Sequence, residues 1–131
     1  MDLELFDQSL HFTARLVDRG DHDDAFLVLR PWLDTGLSAF HKGIVCVNLA
    51  VVSDLRGREE EALAWYDRGI EYEKSEGRIF VAENKAAYLA GKGRREESLR
   101  LYERLAAGSL LTPEERGRIE HNIATLMEEM R

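Results

Sequence analysis

The feature that most constrains this chain is a short motif that occurs three times at nearly equal spacing. Each copy has a basic residue, a glycine, four variable residues and then a small residue. The motif glycines at positions 20, 57 and 93 are 37 and 36 residues apart. The copies run over Arg19–Ala25, Arg56–Ala62 and Lys92–Ser98. A period of this length predicts stacked supersecondary units and not a single globular core.

Composition narrows the class of protein. The 131 residues carry a net charge of -7, which argues against nucleic acid or an anionic membrane as the main partner, because both are bound through basic fields. A single cysteine, Cys46, excludes an intramolecular disulfide, and the apolar run around it predicts a buried thiol. An acidic N-terminus and the lack of a long apolar stretch predict a cytoplasmic protein without a membrane span.

Helical periodicity runs through most of the chain and predicts seven helices and no strand. Pro31 is expected to stop or kink the second helix. Thr112, Pro113 and Glu115 have the pattern of a capping box that begins the last helix. The predicted spans are about 3–17, 23–33, 42–55, 59–74, 79–90, 96–107 and 113–130.

Aligning the three motif glycines brings other small and aromatic positions into register. Packed helical hairpins need small residues where two helices cross closely. The first helices share a small site at Ala50, Ala86 and Ala124, with Thr13 in the first unit. The second helices share a small site at Ala25, Ala62 and Ser98, followed four residues later by Leu29, Tyr66 and Tyr102.

With these residues in register, the chain resembles the tetratricopeptide repeat family. The resemblance implies an all-α fold, a right-handed α-solenoid of helix-turn-helix repeats forming one domain over residues 1–131. About three units are expected, near 3–34, 41–75 and 78–108, with a capping helix at about 113–130. The chain departs from the family pattern at Lys85, where an apolar residue is usual.

In this family the first helices line a concave groove that binds extended or helical peptides, which directs attention to polar residues on those helices. Asn48, Asn84 and Asn122 recur in register, and His11 occupies the matching site of the first unit. An amide offers both a donor and an acceptor to a peptide backbone. The alternative is that these asparagines are solvated or make hydrogen bonds between repeats. The remaining predicted groove residues are Val47, Val51, Leu55, Phe80 and the basic candidate Arg118.

Two functions follow from this pattern. The first is an adaptor or chaperone-like scaffold that binds a peptide or helical segment of a partner protein in the groove. The second is self-association, with the groove or an end repeat buried in a homo-oligomer. The four histidines are scattered and there is one cysteine, so we expect no metal site. The sequence has neither a phosphate-binding loop nor a nucleophile motif, so we expect the protein to use no cofactor and not to be an enzyme.

Overall fold

A computed structural model describes residues 3–108 and 110–131, and over these ranges the protein is all-α. The described chain contains seven α-helices and one 3-10 helix, and no strand occurs within it. The predicted all-α class is therefore confirmed. The α-helices are α1 (Leu3–Asp18), α2 (His22–Leu29), α3 (Ala39–Leu55), α4 (Glu59–Lys74), α5 (Phe80–Gly91), α6 (Arg95–Ala106) and α7 (Pro113–Glu129), and the 3-10 helix spans Arg30–Asp34.

The three repeated motifs form turns of the same geometry. Gly20, Gly57 and Gly93 have φ angles of +79°, +76° and +79°, a left-handed conformation that glycine adopts without a steric penalty. After each glycine, the next residue donates its backbone N–H to the carbonyl five residues back, at 2.8, 2.9 and 2.9 Å. The motif therefore ends α1, α3 and α5 in the same way and starts the helix that follows.

The aligned small and aromatic positions are buried in all three hairpins. Ala25, Ala62 and Ser98 are inaccessible to solvent, and Leu29, Tyr66 and Tyr102 are at most 4% exposed. On the preceding helices Thr13, Ala50 and Ala86 are buried as well. The register predicted from the glycines is thus reproduced in the packing of each hairpin.

Two predicted helix boundaries differ from the structure for identifiable reasons. The second helix was expected to reach residue 33, but α2 ends at Leu29 and a 3-10 helix continues to Asp34. Pro31 in that segment has no N–H to donate to an α-helical hydrogen bond. The third helix begins at Ala39, before the expected residue 42, because the Ser38 side chain accepts the backbone N–H of His41 and caps it.

The described residues cluster into two compact units, one ending at Val81 and the other beginning at Ala82. The core of the first unit is built around α3, whose Val45, Cys46, Leu49 and Val52 are all at most 1% exposed. Against them pack Phe6 and Leu16 of α1, Ala25 and Leu29 of α2, and Leu33 and Leu37 beyond it.

The second unit is held by contacts among α5, α6 and α7. The buried Ser98 hydroxyl donates to the Ala86 carbonyl at 2.7 Å, which ties α6 to α5. Arg118 on α7 forms two hydrogen bonds with Glu83 on α5, at 2.6 and 2.8 Å. The predicted capping box is present, with Thr112 and Glu115 exchanging hydrogen bonds at the start of α7.

Candidate functional site

The third helix carries apolar residues on two of its faces. Its inner face is buried in the first unit, as described above. Its outer face carries further apolar residues at steps of three and four, so they share one side of the helix. We call this outer face the α3 stripe, and it consists of Phe40, Ile44, Val47, Val51 and Leu55.

The α3 stripe is open to solvent along its C-terminal half. Val51 and Leu55 are 44% and 45% exposed, and Phe40, Ile44 and Val47 are half-buried. Polar side chains normally occupy the outer face of a helix in a water-soluble protein. An apolar outer face is therefore a candidate for contact with another polypeptide.

Aromatic residues extend the α3 stripe at its N-terminal end. The Phe40 ring meets the Phe80 ring edge to face, with centroids 6.4 Å apart. The Arg78 guanidinium lies over the Phe40 ring at 4.3 Å. Phe80 remains 42% exposed. Four of the predicted groove residues, Val47, Val51, Leu55 and Phe80, therefore belong to the same unit, and three of them are in the α3 stripe itself.

Asn48 lies on α3 beside the stripe and is half-buried. Its side-chain nitrogen donates to the Ile44 carbonyl at 2.9 Å, within the same helix. Its side-chain oxygen has no hydrogen-bond partner among residues 3–108 and 110–131. The side chain can therefore still accept a hydrogen bond at the edge of the stripe.

The other predicted polar residues lie elsewhere in the chain. His11 is exposed on α1, with Nδ1 3.7 Å from the Asp7 carboxylate. Asn84 is half-buried on α5 in the second unit. Asn122 is half-buried on α7 in the second unit. The Arg118 guanidinium is already occupied by Glu83. Whether these residues bind a ligand stays a prediction.

Cys46 is buried beneath the α3 surface, as the sequence predicted. Burial raises the pKa of its thiol to about 11, although the nearby Arg68 and Arg30 charges act in the opposite direction. At neutral pH the sulfur is therefore a protonated, packed group and a poor nucleophile.

Sequence reasoning missed a second group of residues in the first unit, where cations and aromatic rings alternate. Trp65, Arg68 and Tyr72 follow one another on α4 at three- and four-residue steps, and Arg30 and Lys42 join them from neighbouring segments. The spacing on α4 was visible in the sequence, and it places the three side chains on one helix face. The contributions of Arg30 and Lys42 depend on the tertiary packing.

Within the ranges the structure describes, no group of three histidine, cysteine, aspartate or glutamate side chains is placed to hold a metal ion. None of the described helices combines the length and apolar character needed to cross a membrane.

Comparison with known proteins returns no relative. No family model matches the chain, and no curated protein and no solved structure is significantly similar to it.

Proposed function

We propose that the protein is a tetratricopeptide-like interaction module that binds an apolar segment of a partner protein along the α3 stripe. The observation that carries this proposal is the exposed apolar face of α3, with Val51 and Leu55 each nearly half accessible. The turn that follows α3 has the same backbone geometry as the turns that follow α1 and α5. The proposed overall arrangement of the hairpins is a solenoid.

The dimensions of the stripe favour a helical ligand. From Phe40 to Leu55 it runs for about 22 Å, at 1.5 Å per residue. This is the length of about four helical turns, and an amphipathic helix can place its apolar side chains against the stripe at the same three- and four-residue steps. Asn48 at the edge can accept one hydrogen bond from the partner.

The second candidate function is self-association through the same stripe, and the net negative charge of the protein disfavours it. Two copies that each carry a net charge of -7 repel one another, whereas a neutral or basic partner does not. Light scattering on the purified protein separates the two functions. We expect a monomer. A dimer that Val51→Glu dissociates would show that the stripe is occupied by a second copy.

The proposal is tested with a helical peptide selected by display against the whole protein. We expect the double variant Val51→Glu/Leu55→Glu to have an affinity for the peptide at least about tenfold lower, measured by isothermal titration calorimetry, because the glutamates would place charges against an apolar ligand. The matched control is Leu27→Glu, which changes a 68% exposed leucine on α2. Equal affinity of the double variant and the wild type would refute the proposal.

A further inference from the structure

The first unit carries a row of cations and aromatic rings that plays no part in the α3 stripe. The guanidinium carbons of Arg30 and Arg68 lie 5.8 and 5.4 Å from the Trp65 ring centroid. The Lys42 ammonium lies 5.6 Å from the centroid of Tyr72. We call these five side chains the cation–aromatic row. They come from the 3-10 helix, α3 and α4, so the fold assembles them.

Arg68 occupies the middle of the row and is held on two sides. Its guanidinium carbon is 5.8 Å from the Tyr72 ring centroid as well as close to Trp65. Its Nη2 donates to the Tyr72 hydroxyl at 3.2 Å. A guanidinium already fixed in this way loses little conformational freedom when it binds a ligand, and its planar fork suits a carboxylate.

Two of the three cations of the row, Arg68 and Lys42, have no carboxylate partner among the described residues. Arg68 and Lys42 are half-buried, and no aspartate or glutamate of the described chain lies within ion-pair distance of either. Arg30 has only a 3.4 Å contact with the exposed Asp34. By contrast, the Arg56 guanidinium is 2.9 Å from Asp23. The chain has 25 acidic and 18 basic residues, so carboxylates are plentiful and yet none is placed at Arg68 or Lys42.

A shallow depression lies at one end of the row. It has a volume of about 270 Å³ and is lined by Glu61, Ala64, Trp65 and Arg68. The small Ala64 side chain and the Trp65 ring give it apolar walls. Arg68 borders it, as does the Glu61 carboxylate, which lies 3.4 Å from Nη1 of Arg58. A single apolar side chain fits beside a bound carboxylate at this place.

From these observations we infer that the cation–aromatic row is a docking surface for an acidic segment of a partner polypeptide, with carboxylates against Arg68 and Lys42 and one apolar side chain in the depression. Tryptophan, tyrosine and arginine are the residues that most often carry the binding energy of protein interfaces. A single-stranded nucleic acid is the less suitable ligand, because bases stack on open ring faces and cations already lie over both rings. This inference does not depend on the function proposed for the α3 stripe.

The test uses a short fluorescein-labelled peptide of glutamates with one central leucine, titrated with the whole protein at low salt and followed by fluorescence anisotropy. We expect Arg68→Glu and Lys42→Glu each to weaken binding by about tenfold or more, through loss of a charge-assisted contact and new repulsion. The matched control is Arg104→Glu, which makes the same change of net charge at an exposed arginine on α6. We expect that control to bind within about twofold of the wild type.

Three results would overturn the inference: no binding of the peptide to the wild type, the same loss in all three variants, or tighter binding of a labelled oligothymidylate than of the peptide. An all-glutamate peptide tests whether the depression binds an apolar side chain. If this peptide bound as tightly as the peptide with the central leucine, the depression would not contribute to binding. Circular dichroism establishes that each variant is folded. Should Arg68→Glu not fold, Arg68→Lys and Lys42→Glu decide the outcome, with the lysine variant expected to keep part of the affinity.

Discussion

The buried carboxylate of Glu73, near the end of α4, accepts a 2.8 Å hydrogen bond from the backbone N–H of Val81 in the first turn of α5. The first backbone N–H groups of a helix have no partner within it, and the positive end of its dipole favours an anion. Glu73 therefore acts as a cap for α5 from the preceding helix, and its burial is compensated by this bond.

Replacing Glu73 with alanine should lower the free energy of unfolding by about 2 kcal/mol, because a backbone donor at the start of α5 is left without its partner. The measurement is chemical denaturation. The control is Glu71→Ala on the same helix, which removes an exposed ion pair with Lys74 and should cost less than about 0.5 kcal/mol. Equal effects of the two changes would contradict the capping role.

Two glycine-to-alanine changes should have opposite signs. A Cβ atom on Gly69 would lie 2.8 Å from Val81 Cγ1 and 2.9 Å from Cys46 Cβ, so Gly69→Ala should destabilise the protein by roughly 1–3 kcal/mol. On α7, a Cβ atom on Gly117 would meet nothing within 4 Å, and Gly117→Ala should add about 0.5–1 kcal/mol through helix propensity. Thermal unfolding of both variants checks the pair. Stabilisation by the change at Gly69 would show that α4 and α5 are not so closely packed.

The repeat register makes a prediction at three aligned alanines. Ala50 and Ala86 are completely buried, whereas Ala124 on α7 is exposed. Leucine at position 50 or 86 should each cost roughly 1–3 kcal/mol through overpacking, and leucine at position 124 should change stability by less than about 0.5 kcal/mol. Urea denaturation of the three variants measures this. Similar costs at all three sites would mean that α7 is packed like the first helix of a hairpin.

Stability should fall at alkaline pH because of Tyr66. Burial, with a smaller contribution from Asp54, raises the pKa of Tyr66 to about 12, above the usual value near 10 of an unfolded chain. The neutral phenol is thus favoured in the folded protein, so its contribution is fully present below pH 10 and is lost as the pH rises towards 12. The loss is on the order of 2 kcal/mol. In Tyr66→Phe, the free energy of unfolding should decline less steeply between pH 10 and 12; an identical decline would refute this assignment.

Local sequence chemistry predicted much of this fold. The predicted span of α4, about 59–74, agrees with the observed Glu59–Lys74, because Gly57 ends the preceding helix and an acidic first turn begins the next. The capping box at Thr112 was readable in the same way. These features depend on residues adjacent in the chain. By contrast, a serine at position 38 was too weak a signal by itself to place the start of α3. The 3-10 helix could not be predicted either, because it depends on how the backbone accommodates Pro31.

The sites were less predictable, because they depend on residues brought together by packing. Val47, Val51 and Leu55 could be placed on one face of α3 from helical spacing. The exposure of these side chains could not be predicted from the sequence, because it depends on which side of α3 the other helices cover. Similarly, neither the capping of α5 by Glu73 nor the approach of Lys42 to Tyr72 has a signature in the sequence.

The central claim, that the outer face of α3 binds a partner segment, is tested most directly by site-specific photo-crosslinking. The photoreactive residue benzoylphenylalanine replaces either Val51 in the stripe or Leu27 on α2, both exposed apolar positions. A helical peptide selected by display against the whole wild-type protein is then added and the sample is irradiated. We predict a crosslinked product, identified by mass spectrometry, for the position 51 protein and little or none for the position 27 protein. Crosslinking at position 27 without crosslinking at position 51 would contradict the claim.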